Sequence, residues 1–226
     1  MYTGSSISIA AIIEHLLNMA RDLEDLAHLS WRLAKESSSV EELEKAYRQE
    51  VTRGKERIEE MKLRLFEYMA SGRIEVVENS VFYLNIALSL ERAAQSLDAS
   101  VYRLLLYANL PSSSREGAEM AAELYAKAKE ALNYLSSALR VLQNMGGADR
   151  ERYRLLDQRL ARVKVAEEEA DVVYRRIIAY SITEHKPSCD SMTILKDLAD
   201  YGEAAMDYIA EAGDYVRLLG VSIYSR

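Results

Sequence analysis

Apolar positions recur at three- and four-residue steps over long stretches of this chain, and small breaks separate the stretches at regular intervals. The breaks fall at Ser37-Ser38-Ser39, Gly72, Pro111, Gly146-Gly147 and Pro187. Between them lie segments of roughly 30 to 38 residues with helical periodicity and no internal proline. At ~1.5 Å per residue each helix reaches on the order of 45 Å. In the fifth segment Leu156, Leu160, Val163, Ala170, Tyr174 and Ile177 form one apolar stripe. The sixth carries two adjacent stripes. One is Ile194, Leu198, Tyr201, Ala205, Tyr208, Ala212, Tyr215 and Leu219; the other is Leu195, Gly202, Met206, Ile209, Gly213 and Val216. Two stripes predict contact with two partner helices, as in a bundle.

Local signals mark the helix ends. Ser39 with Glu42, and Ser113 with Glu116, read as capping boxes. Asp149 and Asp190 suit the N-caps of the fifth and sixth helices. Gly72 and Gly146 suit the left-handed position that ends a helix. The pattern predicts an all-α protein of six long antiparallel helices joined by short turns. They divide into residues 1–110 and 111–226, two three-helix bundles packed as one compact unit.

Composition agrees, with 9 Gly and 2 Pro in 226 residues leaving few places to turn. The formal net charge of -7 disfavours a nucleic-acid binder, which needs a basic footprint, and favours cations or basic surfaces as partners. Cys189 is the one cysteine, so no internal disulfide forms and a reducing cytoplasm is expected. Met1 to Ile13 has no basic residue before its apolar stretch, unlike a secretory leader. No apolar run approaches the ~20 residues of a membrane span, so membrane attachment is expected only through a partner.

Charge is distributed unevenly in the last segment. Between Lys196 and Arg217 there is no Lys or Arg, while Asp197, Asp200, Glu203, Asp207, Glu211 and Asp214 follow at three- and four-residue steps. All six carboxylates therefore share one side of the helix, where like charges repel by a few tenths of a kcal/mol per pair. Basic side chains of an adjacent helix or water can answer the row, and so can a metal ion or a basic partner protein. The run Arg150, Arg152, Arg154, Arg159, Arg162 and Lys164 is the simplest source of an internal answer.

A second acidic group, Glu167, Glu168, Glu169 and Asp171, occupies the fifth segment. Glu167 falls on the apolar stripe, where an unpaired carboxylate is expensive. Glu167 and Asp171 share the four-residue spacing of Glu203 and Asp207. Two such pairs on facing helices could surround one hard cation. An oxygen-only set suits Mg, Mn or Ca and admits Fe; it is a poor set for Zn, which nonetheless accepts carboxylates.

Glu167-Glu-Glu-Ala-Asp171-Val-Val-Tyr-Arg-Arg and Gly202-Glu203-Ala-Ala-Met-Asp207-Tyr-Ile-Ala-Glu211 resemble the acidic motif of the PhoU-like family of phosphate-transport regulators, including the branch found beside inorganic phosphate transporters. That motif is Glu/Asp-x-x-x-Asp. Weaker echoes are Glu50-Val-Thr-Arg-Gly54 and Leu90-Glu91-Arg-Ala-Ala-Gln95-Ser-Leu-Asp98, where Gly54 and Gln95 replace the motif's aspartate. The resemblance implies two similar three-helix bundles. It also implies a cytoplasmic, non-enzymatic role in phosphate transport, exercised on a transporter or its signalling partners. A divalent metal (Mg, Mn, Fe or Zn) would be held by Glu167, Asp171, Glu203 and Asp207, with Glu91 and Asp98 as further candidates. Self-association is open. The alternative is a metal-free helical adaptor whose acidic face binds a basic protein.

Other chemistries lack their parts. A ferritin-like centre needs paired Glu-x-x-His motifs, and His15, His28 and His185 are the only histidines, none with Glu three residues before it. Cys189 near His185 has no orienting third group. Glycine-rich phosphate loops are absent. Tyr201, Tyr208 and Tyr215, at heptad spacing, read as core packing with phenols at the rim.

Overall fold

A computed structural model describes residues 9–37, 39–71, 79–183 and 189–225. The described residues form six helical rods. They are α1 (Ile9–Glu36), a composite second rod, α4 (Ser80–Ala108), α5 (Arg115–Gln143), α6 (Arg150–Thr183) and α7 (Cys189–Tyr224). The second rod is α2 (Val40–Ala46), one π turn (Tyr47–Val51) and α3 (Thr52–Ser71). Among the described residues there is no strand. Among the described residues no helix is long and apolar enough to cross a membrane.

The π turn has a cause in the sequence. Buried positions of the second rod run Leu43, Ala46, Val51, Gly54, Ile58 and Leu65. The step from Ala46 to Val51 is five residues, one more than an α-helix can keep on a single face. The widened turn takes up the extra residue and returns Val51 to the core.

Caps follow the sequence in two places and depart from it in three. Ser39 Oγ accepts from the Glu42 amide at 3.2 Å, and Asp149 Oδ1 accepts from the Arg152 amide at 3.1 Å. The cap of α5 is Ser114 rather than Ser113. Ser114 Oγ accepts from the Gly117 amide at 3.1 Å and also meets the phenols of Tyr107 and Tyr180, so burial selects it. Asp190 lies inside the first turn of α7, which begins at Cys189; there it complements the helix dipole instead of capping. Gly146 is not left-handed. The side chain of Asn144 closes α5 on the Arg140 carbonyl, and Ala148 takes the positive φ, 57°, with its amide held by Tyr224 O at 3.0 Å. Gly72 and Pro187 lie outside the described residues.

The most extensive packing is between α4 and α7 and between α1 and α5, so each half of the chain seats on the other. Within the halves, α1, α3 and α4 pack mutually, as do α5, α6 and α7. Helices α1, α4, α5 and α7 thus form the centre, with α3 and α6 flanking. Buried apolar side chains join in one cluster. Helix α7 meets three helices, α4, α6 and α5, where its two stripes predict two. The third contact is allowed by Gly202: a Cβ there would lie 2.3 Å from Leu124 Cδ2 of α5. Beside it, Ser100 Oγ of α4 donates to the Leu198 carbonyl at 2.8 Å and meets Tyr125 Oη of α5 at 2.8 Å. This buried link fixes α7 in the frame that carries the acidic residues.

Candidate functional site

Helices α6 and α7 run antiparallel in a defined register. Asp157 accepts from Arg217 at 3.0 Å, and Tyr174 Oη donates to Asp200 at 3.1 Å. The same register sets Glu167 opposite Asp207 and Asp171 opposite Glu203. Electrostatics agree with that placement. Glu203 is held above the ordinary carboxylate range first by burial, then by Asp207, Asp171, Asp200 and Glu167. Asp207 is raised by burial, then by Glu167 and Asp171, with Lys164 and a hydrogen bond with Glu203 opposing. The four acids named by the sequence are therefore neighbours.

They are not equivalent. Glu167, with 13% of its side chain exposed, pairs with Lys164 at 2.5 Å, which answers its place on the apolar stripe. Asp171 pairs with Arg175 at 3.1 Å. Among the described residues, neither Glu203 nor Asp207 has a cation within ion-pair distance, and no three His, Cys, Asp or Glu side chains converge on one ligating point.

Three of the other four acids of the row have partners, and Asp197 has none among the described residues. Asp200 pairs with Lys196 and accepts from Tyr174; Asp214 pairs with Arg217 at 3.3 Å; Glu211 accepts from Ser89 of α4 at 2.8 Å. The basic run of α6 contributes less than its composition suggests. Lys164 answers the cluster and Arg152 pairs with Asp149, while Arg159 and Arg162 pair with no acid among the described residues.

The first-half candidates stand apart from each other. Glu91 is buried with Lys62 at 2.6 Å and receives Gln95 Nε2 at 3.3 Å. Asp98 faces Tyr47 of the π turn. Burial raises its pKa against the pull of Lys55 and Tyr47, and its Oδ1 has no hydrogen-bond partner. Burial, then Asp98, pushes the Tyr47 phenol up to about 12. In the second rod Gly54 packs closely on α1, where a Cβ would sit 3.2 Å from Leu26 Cδ1 and Leu26 would have to shift, and Glu50 pairs with Arg32.

His15 and His28 take structural places. His15 Nε2 meets the Met61 carbonyl at 2.7 Å, and His28 stacks on Trp31 at 5.4 Å. Cys189 is exposed at the start of α7; His185 lies outside the described residues. Sequence reading named Lys164 within the basic run that answers the acids, but missed that it pairs with Glu167 of its own helix and that Arg175 pairs with Asp171, although these three- and four-residue spacings are visible in the chain. It also missed a cleft of about 390 Å³ between α1 and the π turn, bordered by Arg32, Glu50, Arg53 and Arg57. The signal for that cleft was the five-residue apolar step.

No family model and no curated protein matches the chain. Among solved structures, the fold is similar to that of PhoU from Pseudomonas aeruginosa, with a TM-score of 0.53 at 14% sequence identity. The match covers 94% of this chain and 96% of that one.

Proposed function

We propose that this chain is a non-enzymatic, cytoplasmic regulator or accessory protein of phosphate transport. It acts by contact with a phosphate transporter or its signalling partners. The observation that supports this most is the likeness in fold to PhoU over nearly the full length of both chains. The two four-spaced acid pairs on α6 and α7, in facing register, add to it.

Four carboxylates suit a hard divalent cation by donor chemistry, and Glu203 and Asp207 supply two with no cation paired to them. Glu167 and Asp171 would complete the set by releasing Lys164 and Arg175. A bound ion would tie α6 to α7 and cancel their mutual repulsion. A second reading is favoured by those same two ion pairs: already neutralised on the α6 side, the site serves as a metal-free acidic face for a basic protein.

Phosphate uptake measured in cells with and without the gene tests the main reading. Deletion is expected to change uptake at fixed external phosphate, and the intact gene to restore it. Unchanged uptake removes the proposal. Metal content of protein purified without chelator separates the two site readings. A stoichiometric ion lost in Glu203→Gln/Asp207→Asn supports the metal site; no ion, with unfolding unchanged by EDTA, supports the adaptor.

A further inference from the structure

The seam between α5 and α6 is closed at one end and open at the other. At the closed end Glu123 and Lys127 of α5 pair with Arg176 and Glu169 of α6. Toward the start of α6 the seam widens into an open groove of about 610 Å³, bordered by Tyr134, Leu155, Arg159, Arg162 and Val165. No acid lines it. Arg159 Nε is buried without a hydrogen-bond partner, so a donor has left water with nothing in return. Leu155 and Val165 are 39% and 40% exposed, and Val172, two turns on, is 64% exposed. Val165 and Val172, seven residues apart, share one outward stripe of α6, and Leu155 lies to one side of it. In a chain of net charge -7, the groove is a local reversal of sign joined to uncovered apolar surface.

We propose that this groove docks an amphipathic acidic helix of a partner protein. Its carboxylates would lie on Arg159 and Arg162, whose planar guanidiniums take a carboxylate in two parallel hydrogen bonds. Its apolar stripe would cover Leu155 and Val165. A helix fits because the groove runs between two antiparallel rods, and α7 already packs against the same pair. The closed end shows what the open end lacks: there each cation of the seam has its acid, and here the partner brings it. The site is separate from the acidic cluster and stands whether or not that cluster holds a metal.

Fluorescence anisotropy with a synthetic amphipathic helix of about five turns tests this. The peptide carries a leucine stripe flanked by glutamates four residues apart; two controls replace the glutamates with glutamine or lysine. The glutamate peptide is expected to bind the full chain at least ~10-fold more tightly than the glutamine peptide. Arg159→Glu/Arg162→Glu should reverse the preference in favour of the lysine peptide, and the uncharged Val165→Ser should weaken every peptide. Circular dichroism and melting confirm that the variants stay folded; Arg162→Glu alone, at an exposed position, repeats the charge test should the half-buried Arg159 not tolerate Glu. Failure of the glutamate peptide to bind, or binding that ignores the charge reversal, overturns the proposal. So does a dimer in sedimentation velocity that Arg159→Glu/Arg162→Glu dissolves, which would give the groove to a second copy of this chain.

Discussion

At the scale of single residues, position relative to a neighbouring cation separates acids that look alike in the sequence. Glu167 and Glu203 each open a four-spaced pair, yet Glu167 has Lys164 one turn before it and Glu203 has no cation within reach. The acid pairs were legible because spacing alone fixes which residues share a helix face. Their inequality depends on which helix lies opposite and in what register, information carried by contacts such as Asp157 with Arg217. This inequality has a pH signature. Glu203 and Asp207 both titrate above their ordinary values in the folded chain, so ionising them opposes folding. That opposition is present at neutral pH, fades as pH falls through the folded pKa values, and is gone below the unfolded values near 4. Glu203→Gln/Asp207→Asn is therefore expected to raise stability at neutral pH, without divalent ions, by a few tenths of a kcal/mol, water keeping the effect small. The gain should shrink as pH is lowered toward 5. Urea unfolding midpoints at two pH values measure it; a variant less stable than the parent at neutral pH contradicts the account.

At the scale of elements, the six rods were legible because their apolar stripes run for many turns and their breaks contain Ser, Gly or Pro. The ends were less so. Two adjacent serines, Ser113 and Ser114, offer equal capping chemistry, and the choice of Ser114 rests on Tyr107 and Tyr180, which are remote in sequence. Ala148 accepts a left-handed conformation because Tyr224 O holds its amide, a tie no local pattern announces. The π turn was present in the sequence as one five-residue step and is, among the described residues, the one place where the helical period fails. Its extra residue can be removed. Gln49 is exposed within the turn. Deleting it should convert Tyr47–Val51 into regular α-helix while Leu43, Val51 and Ile58 keep their core positions, changing stability by less than about 1 kcal/mol. Deleting the exposed Glu60 of α3 instead would rotate Leu65 off the core face, with a cost of about 2 kcal/mol or more. Melting of the two single-residue deletions distinguishes them, and equal losses would show that the turn is not the site of the extra residue.

At the scale of the whole molecule, the six rods share one apolar interior. The triangles α1, α3, α4 and α5, α6, α7 each pack internally, but the broadest contacts, α4 with α7 and α1 with α5, run between them. Each fully buried leucine or isoleucine contributes about 1.5–3 kcal/mol, so separating the units would expose more apolar surface than either has stability to lose. The two triangles are thus expected not to fold independently of each other. Trp31, the chain's one tryptophan, reports on this directly. It sits half-buried on α1, stacked by His28, with Lys35 of its own helix at 5.5 Å and Lys129 of α5 at 5.8 Å. Its fluorescence follows the α1–α5 contact between the units, whereas far-ultraviolet circular dichroism follows all the helices together. In urea the two signals should trace one transition with a common midpoint, because losing the α1–α5 contact leaves neither unit a closed core. A tryptophan transition that precedes the loss of helix would mean that the units part before they unfold, and that the chain has two folding domains joined by a weaker interface.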